Sequence, residues 1–213
     1  MLVDLALSGK NVVIIGSGDE VGIRAKQLLA EGAKITVLTD RITKKELSEN
    51  LSKNLEIRRG TIKKWKQILD EVRPFLAVVC TGSQSQDEEI AEYAHGVSRL
   101  VYVVDRPQLN DLNMTGVAKL GDVRVAVSTR GLSPAMASVL RRKIESIIGP
   151  EDILQVKLQG DVKSSLRASV ADPAQRKKIV YRLIRDKKIS SMLQSNQYDD
   201  ARRRALNLIT EFR

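Results

Sequence analysis

The chain has 213 residues, 42% hydrophobic and 29% charged, a balance that fits an ordinary folded protein and excludes a disordered or membrane-embedded one. No apolar run approaches the roughly 20 residues needed to cross a bilayer, and residues 1–11 contain Asp4 and no apolar stretch suited to a signal peptide, so a cytoplasmic protein with no membrane partner is expected. Its single cysteine, Cys80, and single histidine, His95, exclude an internal disulfide framework and multi-Cys or poly-His metal sites, while a net charge of +10, of which +6 falls in residues 151–213, either serves solubility alone or suits nucleic acid or a strongly anionic small molecule.

Lys10–Ile15 is a β-branched run without polar alternation, the pattern of a strand buried on both faces of a parallel sheet. A glycine-rich turn follows, then Val21, Ala25, Leu28 and Leu29 at helical spacing, with Gly32 closing the helix. Ile35–Leu38 is the next buried strand. The alternation continues with a helix over Lys44–Lys53, a strand at Leu55–Arg58, a helix near Lys63–Glu71, the strand Leu76–Thr81, the helix Asp87–His95 and the strand Leu100–Val104. Strand and helix taking turns at this spacing predict right-handed crossovers and an open parallel sheet covered on both faces.

After residue 113 the pattern changes. Gly116–Lys119 and Val123–Ser128 read as strands joined at Leu120-Gly121-Asp122, and Pro134 opens a helix to about Ile148. That is too little for an independent core, so this segment is expected to dock on a partner chain. Gly149-Pro150 interrupts the helix, and Asp172-Pro173 pairs an N-cap with proline at the first helical position among the basic amphipathic helices that follow. The fold class is α/β: a Rossmann-like parallel sheet over 1–113, a small α+β segment over 114–149 and a C-terminal helical domain over 150–213.

The loop Gly16-Ser17-Gly18-Asp19-Glu20-Val21-Gly22 stands where a strand turns into a helix. A pyrophosphate there needs backbone N–H groups aimed at it and no Cβ in the way, which Gly16 and Gly18 allow. Asp40, at the end of the second strand, is spaced to take ribose hydroxyls and would repel a 2′-phosphate, which points to NAD; Arg41 beside it pulls the other way. Thr81-Gly82-Ser83 leaves another strand end, either as a cofactor contact or as a plain βα loop. Asp105 leaves the strand Leu100–Val104, either as a general base or as a turn residue before Pro107. Ser133 before Pro134 is an N-cap signal; with Arg130, Arg141 and Arg142 that helix start reads as a carboxylate site or as ordinary capping beside a solvated basic face.

Asp4-Leu5 and Gly9-Lys10 ahead of the first strand, the Gly16–Gly22 loop, Gly32-Ala33-Lys34-Ile35-Thr36-Val37, Val103-Val104-Asp105-Arg106-Pro107, and Ser128-Thr129-Arg130-Gly131-Leu132-Ser133-Pro134 occur in an order and spacing that resembles the precorrin-2 dehydrogenases of the siroheme synthase N-terminal type, over about residues 4–150. The resemblance implies NAD-dependent oxidation of precorrin-2, an anionic tetrapyrrole, to sirohydrochlorin. It further implies a homodimer joined through the 114–149 segment and, in some members, ferrous iron insertion at the same site. It carries a catalytic role onto Asp105, dinucleotide contacts onto Asp19, Glu20, Asp40 and Arg41, and a substrate-side threonine onto Thr129. The family's three consecutive glycines become Gly16-Ser17-Gly18, and its asparagine before Val-Val-Asp becomes Tyr102. Two other readings stand beside this one: a nucleotide-sensing regulator with nucleic-acid-binding basic helices, which seven aromatics and no stacking platform disfavour, and a non-catalytic tetrapyrrole carrier.

Overall fold

The computed structural model describes residues 2–40, 53–60 and 62–211. Arg41 and residues 44–52 of the expected helix over Lys44–Lys53 lie outside the described residues; Lys53 itself is in a turn. The chain divides into two compact units, Met1–Met114 and Thr115–Arg213.

The first unit runs β1 (Asn11–Gly16), α1 (Asp19–Leu29), β2 (Lys34–Thr39), β3 (Leu55–Arg59), α2 (Trp65–Val72), β4 (Leu76–Cys80), α3 (Gln84–Val97) and β5 (Leu100–Val103). The strands form a parallel sheet in the order β3-β2-β1-β4-β5. Successive side chains of β1 go to opposite faces. Val12 and Ile14 pack with Val21, Ala25 and Leu28 of α1, and Val13 and Ile15 pack with Ile68, Leu69, Ile90 and Ala91 of α2 and α3. Burial on both faces is why these strands are continuously apolar. The chain runs outward from β1 in both directions, through β2 on one side and β4 on the other. The crevice at the carboxyl ends of β1 and β4 is therefore the switch point at which open α/β sheets bind ligands.

β5 lies at the edge of the sheet, and the chain beyond it folds back to cover that edge. The Asn110 side-chain oxygen accepts from the Val103 N–H at 2.6 Å, and an Asp111 carboxylate oxygen accepts from the Val101 N–H at 2.8 Å. The Asp111 N–H returns a bond to the Val101 carbonyl at 3.0 Å. Several element ends differ from the sequence expectation. α3 begins at Gln84, so Asp87 stands inside its first turn rather than at its start. The second strand of the hairpin stops at Ala126, opposite Val117 where its partner begins, and the chain beyond it turns with the Ser128 hydroxyl accepting from the Arg130 N–H at 3.2 Å.

The second unit opens with the antiparallel pair β6 (Val117–Leu120) and β7 (Val123–Ala126), followed by α4 (Pro134–Glu145). Four helices follow: α5 (Pro150–Ser169), α6 (Pro173–Arg185), α7 (Lys187–Gln194) and α8 (Tyr198–Thr210). They share a core of their own around Leu158, Val162, Leu183, Ile189 and Ala205. Asp172 caps α6, accepting from the N–H groups of Ala174 and Gln175 at 3.0 and 3.1 Å. Asp186 caps α7 through the Ile189 N–H at 2.9 Å and takes the Arg204 guanidinium in a two-pronged contact at 2.9 and 2.6 Å. α4 contributes no buried residue. Among the described residues no helix is long and apolar enough to cross a membrane.

Candidate dinucleotide and catalytic site

Parallel strands bring their carboxyl ends to one edge, and that edge collects the residues singled out in the first unit. Gly16 ends β1, Asp40 follows β2, Thr81 and Gly82 follow β4, and Asp105 lies just beyond β5. Gly16 lies beside Cys80 in the register of β1 and β4, so close that a Cβ would stand 2.1 Å from the Cys80 carbonyl oxygen. The Ser17 N–H donates to that same oxygen at 3.3 Å, which ties the loop down against β4. Gly18 is the N-cap of α1 with φ +84°, and no side chain caps it. Nothing lies within 4 Å of the Cβ it lacks. A helix start with uncapped N–H groups and an open approach fits a pyrophosphate, whose charge also opposes the helix dipole. The residues present therefore fit a dinucleotide.

Asp19 and Asp40 are exposed at this edge. Glu20 turns along its own helix to Arg24, with 3.0 Å between the charged groups, and the Arg24 guanidinium lies 5.5 Å from the centre of the Tyr102 ring. Tyr102 is buried, and loss of solvent pushes its hydroxyl pKa up. Cys80 is buried too; its thiol is pushed up to about 12 by burial, with the carboxylates of Asp87 and Glu20 adding to the shift. Burial thus favours the neutral thiol over the reactive thiolate.

Asp87 is the residue that sequence reasoning missed at this edge. It is only 4% exposed. One of its carboxylate oxygens accepts from the Thr81 hydroxyl at 2.7 Å and the Thr81 N–H at 3.1 Å, and the Thr81 hydroxyl oxygen in turn accepts from the Ser83 N–H at 3.1 Å. The Thr81 side chain is thus spent on shaping its own loop, and Gly82, with φ +79° and open space around its missing Cβ, is the part presented outward. The available signal was an acid a few residues after a Thr-Gly-Ser loop, within a first helical turn, where a carboxylate meets free N–H groups.

Asp105 is exposed and has φ +60°, in the left-handed region. A non-glycine residue held there carries strain on the order of 1 kcal/mol or more, which the surroundings must over-determine. They do so here on both sides: the Val104 N–H donates to the Val79 carbonyl at 2.9 Å, and the Asn110 and Asp111 contacts pin β5 from its outer edge. His95 binds locally, with Nε2 3.2 Å from the Leu109 carbonyl and Nδ1 3.4 Å from the Asp111 carboxylate. No three His, Cys, Asp or Glu side chains among the described residues are grouped to hold a metal ion.

The remaining predicted residues belong to the second unit, at the start of α4. The Ser133 hydroxyl accepts from the Met136 N–H at 3.2 Å, and the Thr129 hydroxyl accepts from the Ser133 N–H at 3.1 Å. Arg130 is exposed with φ +52°, and Arg141 is paired with Glu145 one turn on. Thr129 and Ser133 build the turn, and Arg130 projects from it.

A family model described as putative NAD(P)-binding matches residues 3–116, more than half the chain. The chain belongs to this NAD(P)-binding family. Its matched span takes in the Gly16 loop, Asp40, Thr81 and Asp105, and a dinucleotide of the NAD(P) class is its cofactor. The chain is 28% identical to precorrin-2 dehydrogenase of Methanosarcina barkeri, over 98% of this chain and 92% of the relative. It is 23% identical to siroheme synthase of Tolumonas auensis and 27% identical to that of Nitrosospira multiformis, over 92% and 84% of this chain. It spans about two fifths of the length of those synthases. The fold is that of SirC, a precorrin-2 dehydrogenase of known structure, with a TM-score of 0.74 and 19% identity over 99% of both chains.

Proposed function

We propose that the protein oxidises precorrin-2 to sirohydrochlorin, with NAD⁺ taking the hydride, on the way to siroheme. The observation that carries this reading is the similarity to a precorrin-2 dehydrogenase along almost the whole chain, together with an acid, Asp105, held in a strained backbone at the same sheet edge as the phosphate loop. Bound NAD⁺ supplies the hydride acceptor. Gly18 and the uncapped first turn of α1 would hold its phosphates on backbone N–H groups, with Gly16 and Ser17 seating the loop against β4; the resemblance assigns further dinucleotide contacts to Asp19, Glu20 and Arg41, and Asp40 would take a ribose hydroxyl, which favours NAD over NADP. Gly82 and Thr81 form the wall beside β4. Asp105 takes or positions the proton released as the hydride leaves. Arg130 offers positive charge to substrate carboxylates from a turn held by Thr129 and Ser133, and Arg141, paired with Glu145 farther along α4, adds to it.

A homodimer is part of the same reading. Met136, Leu140 and Ile144 stand four residues apart on one exposed face of α4, with Leu132 in the turn before the helix 90% exposed and Ile147 beyond it 77% exposed. An exposed apolar stripe on a helix with no fully buried residue supports this reading, in which a second copy of the chain would cover it. A cytoplasmic location accords with this substrate and cofactor.

The test is to add precorrin-2 and NAD⁺ and follow NADH with the tetrapyrrole spectrum, then add Fe²⁺ to read any iron insertion. Asp105→Asn keeps the backbone, since asparagine also tolerates left-handed φ. It is expected to lower kcat by about 10²-fold or more with NAD⁺ binding intact. Full activity in that variant would remove Asp105 from the chemistry.

A further inference from the structure

The dinucleotide site makes no use of the charge on α6. Lys177, Lys178, Tyr181, Arg182 and Arg185 recur at helical spacing on its outward face, while Ile179 and Leu183 face the core of the helical cluster. An open groove of about 1070 Å³ runs along that outward face, lined by those five side chains and Asp186. Asp186 is the single acid among the described residues that line it, and its carboxylate is already engaged by Arg204 and the Ile189 N–H. The groove is left strongly positive. Tyr181 lies half exposed within it, its ring 5.8 Å from the Arg185 guanidinium, so a flat aromatic surface stands among the charges.

We propose that this groove is a docking site for the carboxylate-bearing tetrapyrrole, an inference that rests on the oxidation reading above. Size and composition favour that occupant. Lys177 to Arg185 spans about 12 Å along the helix axis, the scale of one macrocycle with its acid side chains. The open volume slightly exceeds the roughly 300–1,000 Å³ usual for small-molecule sites, room for a ligand as large as a macrocycle. Several cations around one ring suit a planar ligand edged with carboxylates. A single-stranded nucleic acid is held by successive stacked bases, for which one tyrosine is too few.

The test uses the full chain and the variant Lys178→Gln/Arg182→Gln/Arg185→Gln. Sirohydrochlorin binding is titrated directly, and KM and kcat for precorrin-2 are measured across a range of KCl. The expected result is a tenfold or larger loss of sirohydrochlorin affinity and a matching rise in KM. The KM of the variant should depend less on salt, kcat should stay within twofold, and NAD⁺ affinity and the circular dichroism spectrum should be unchanged. The charge-keeping Arg182→Lys/Arg185→Lys variant should recover most of the binding. Affinity and KM within twofold of the unmodified chain overturn the inference, as does a variant that loses binding to a duplex DNA fragment while keeping its tetrapyrrole affinity. Binding of sirohydrochlorin through these cations without NADH formation overturns the oxidation reading instead and leaves the docking site standing.

Discussion

The two units use their apolar residues in opposite ways. In the first, both faces of the sheet are covered by the chain's own helices, and the β5 edge is closed by its own Asn110 and Asp111. In the second, the helices beyond Gly149 enclose a core, yet α4 buries nothing and carries a stripe of exposed leucine, methionine and isoleucine. A unit whose sheet is covered on both faces and closed along the β5 edge can hold a strained acid at a site. A unit with an unanswered helix is built for company.

The sharpest way to break this contrast lies within the second unit. Leu183 is fully buried among the helices, so Leu183→Ala should cost about 2–5 kcal/mol in urea unfolding of the chain. Met136→Ser/Leu140→Ser on the exposed stripe should change monomer stability by no more than about 0.5 kcal/mol per site while shifting the monomer–dimer equilibrium measured by sedimentation. If the two costs are alike, α4 is not an interface helix.

In the first unit, Gly16→Ala forces a methyl group onto the Cys80 carbonyl, 2.1 Å away. It should cost about 1–3 kcal/mol and weaken NAD⁺ binding together with stability, because the loop and β4 must part. Loss of stability with NAD⁺ affinity retained would separate the loop from the cofactor. The smallest expected effect is one of pH. Arg204 holds the Asp186 carboxyl at about 2, below its usual 3.8. A depressed acid adds stability that is present above pH 4 and lost as pH falls toward 2. Acid unfolding of the helical unit, followed by circular dichroism, should therefore be steeper between pH 4 and 2 in the unmodified chain than in Asp186→Asn.

What was legible in the sequence was local. The unalternating runs of β1, β2 and β4 announce burial on both faces, the glycines at 16 and 18 announce a tight turn from strand to helix, and Asp172-Pro173 announces a helix start. The α4 stripe is written in the four-residue spacing of Met136, Leu140 and Ile144, but Arg141 and Arg142 between them give the same helix an equally plain basic pattern. What escaped depends on topology. Nothing in Asn110 or Asp111 says that β5 is an edge strand whose N–H groups need acceptors, because that follows from the order of strands in space. The role of Asp87 escaped because it acts on a loop six residues earlier, across a helix start set at Gln84 rather than at Asp87 itself. The Arg24 contact with Tyr102 joins residues of α1 and β5 through the fold and has no signature in either segment.

The closure of β5 reaches beyond the site. A bare edge strand is a template on which other chains add, and open sheets of this kind polymerise when it is left free. With its Val101 and Val103 N–H groups already taken, the sheet has no vacancy on that side for a sixth strand. The same two side chains that steady the acid at the end of β5 also guard the crowded, newly made chain against sticking to its neighbours. Substituting Asn110 and Asp111 together would surface first as insoluble protein rather than as a slow enzyme.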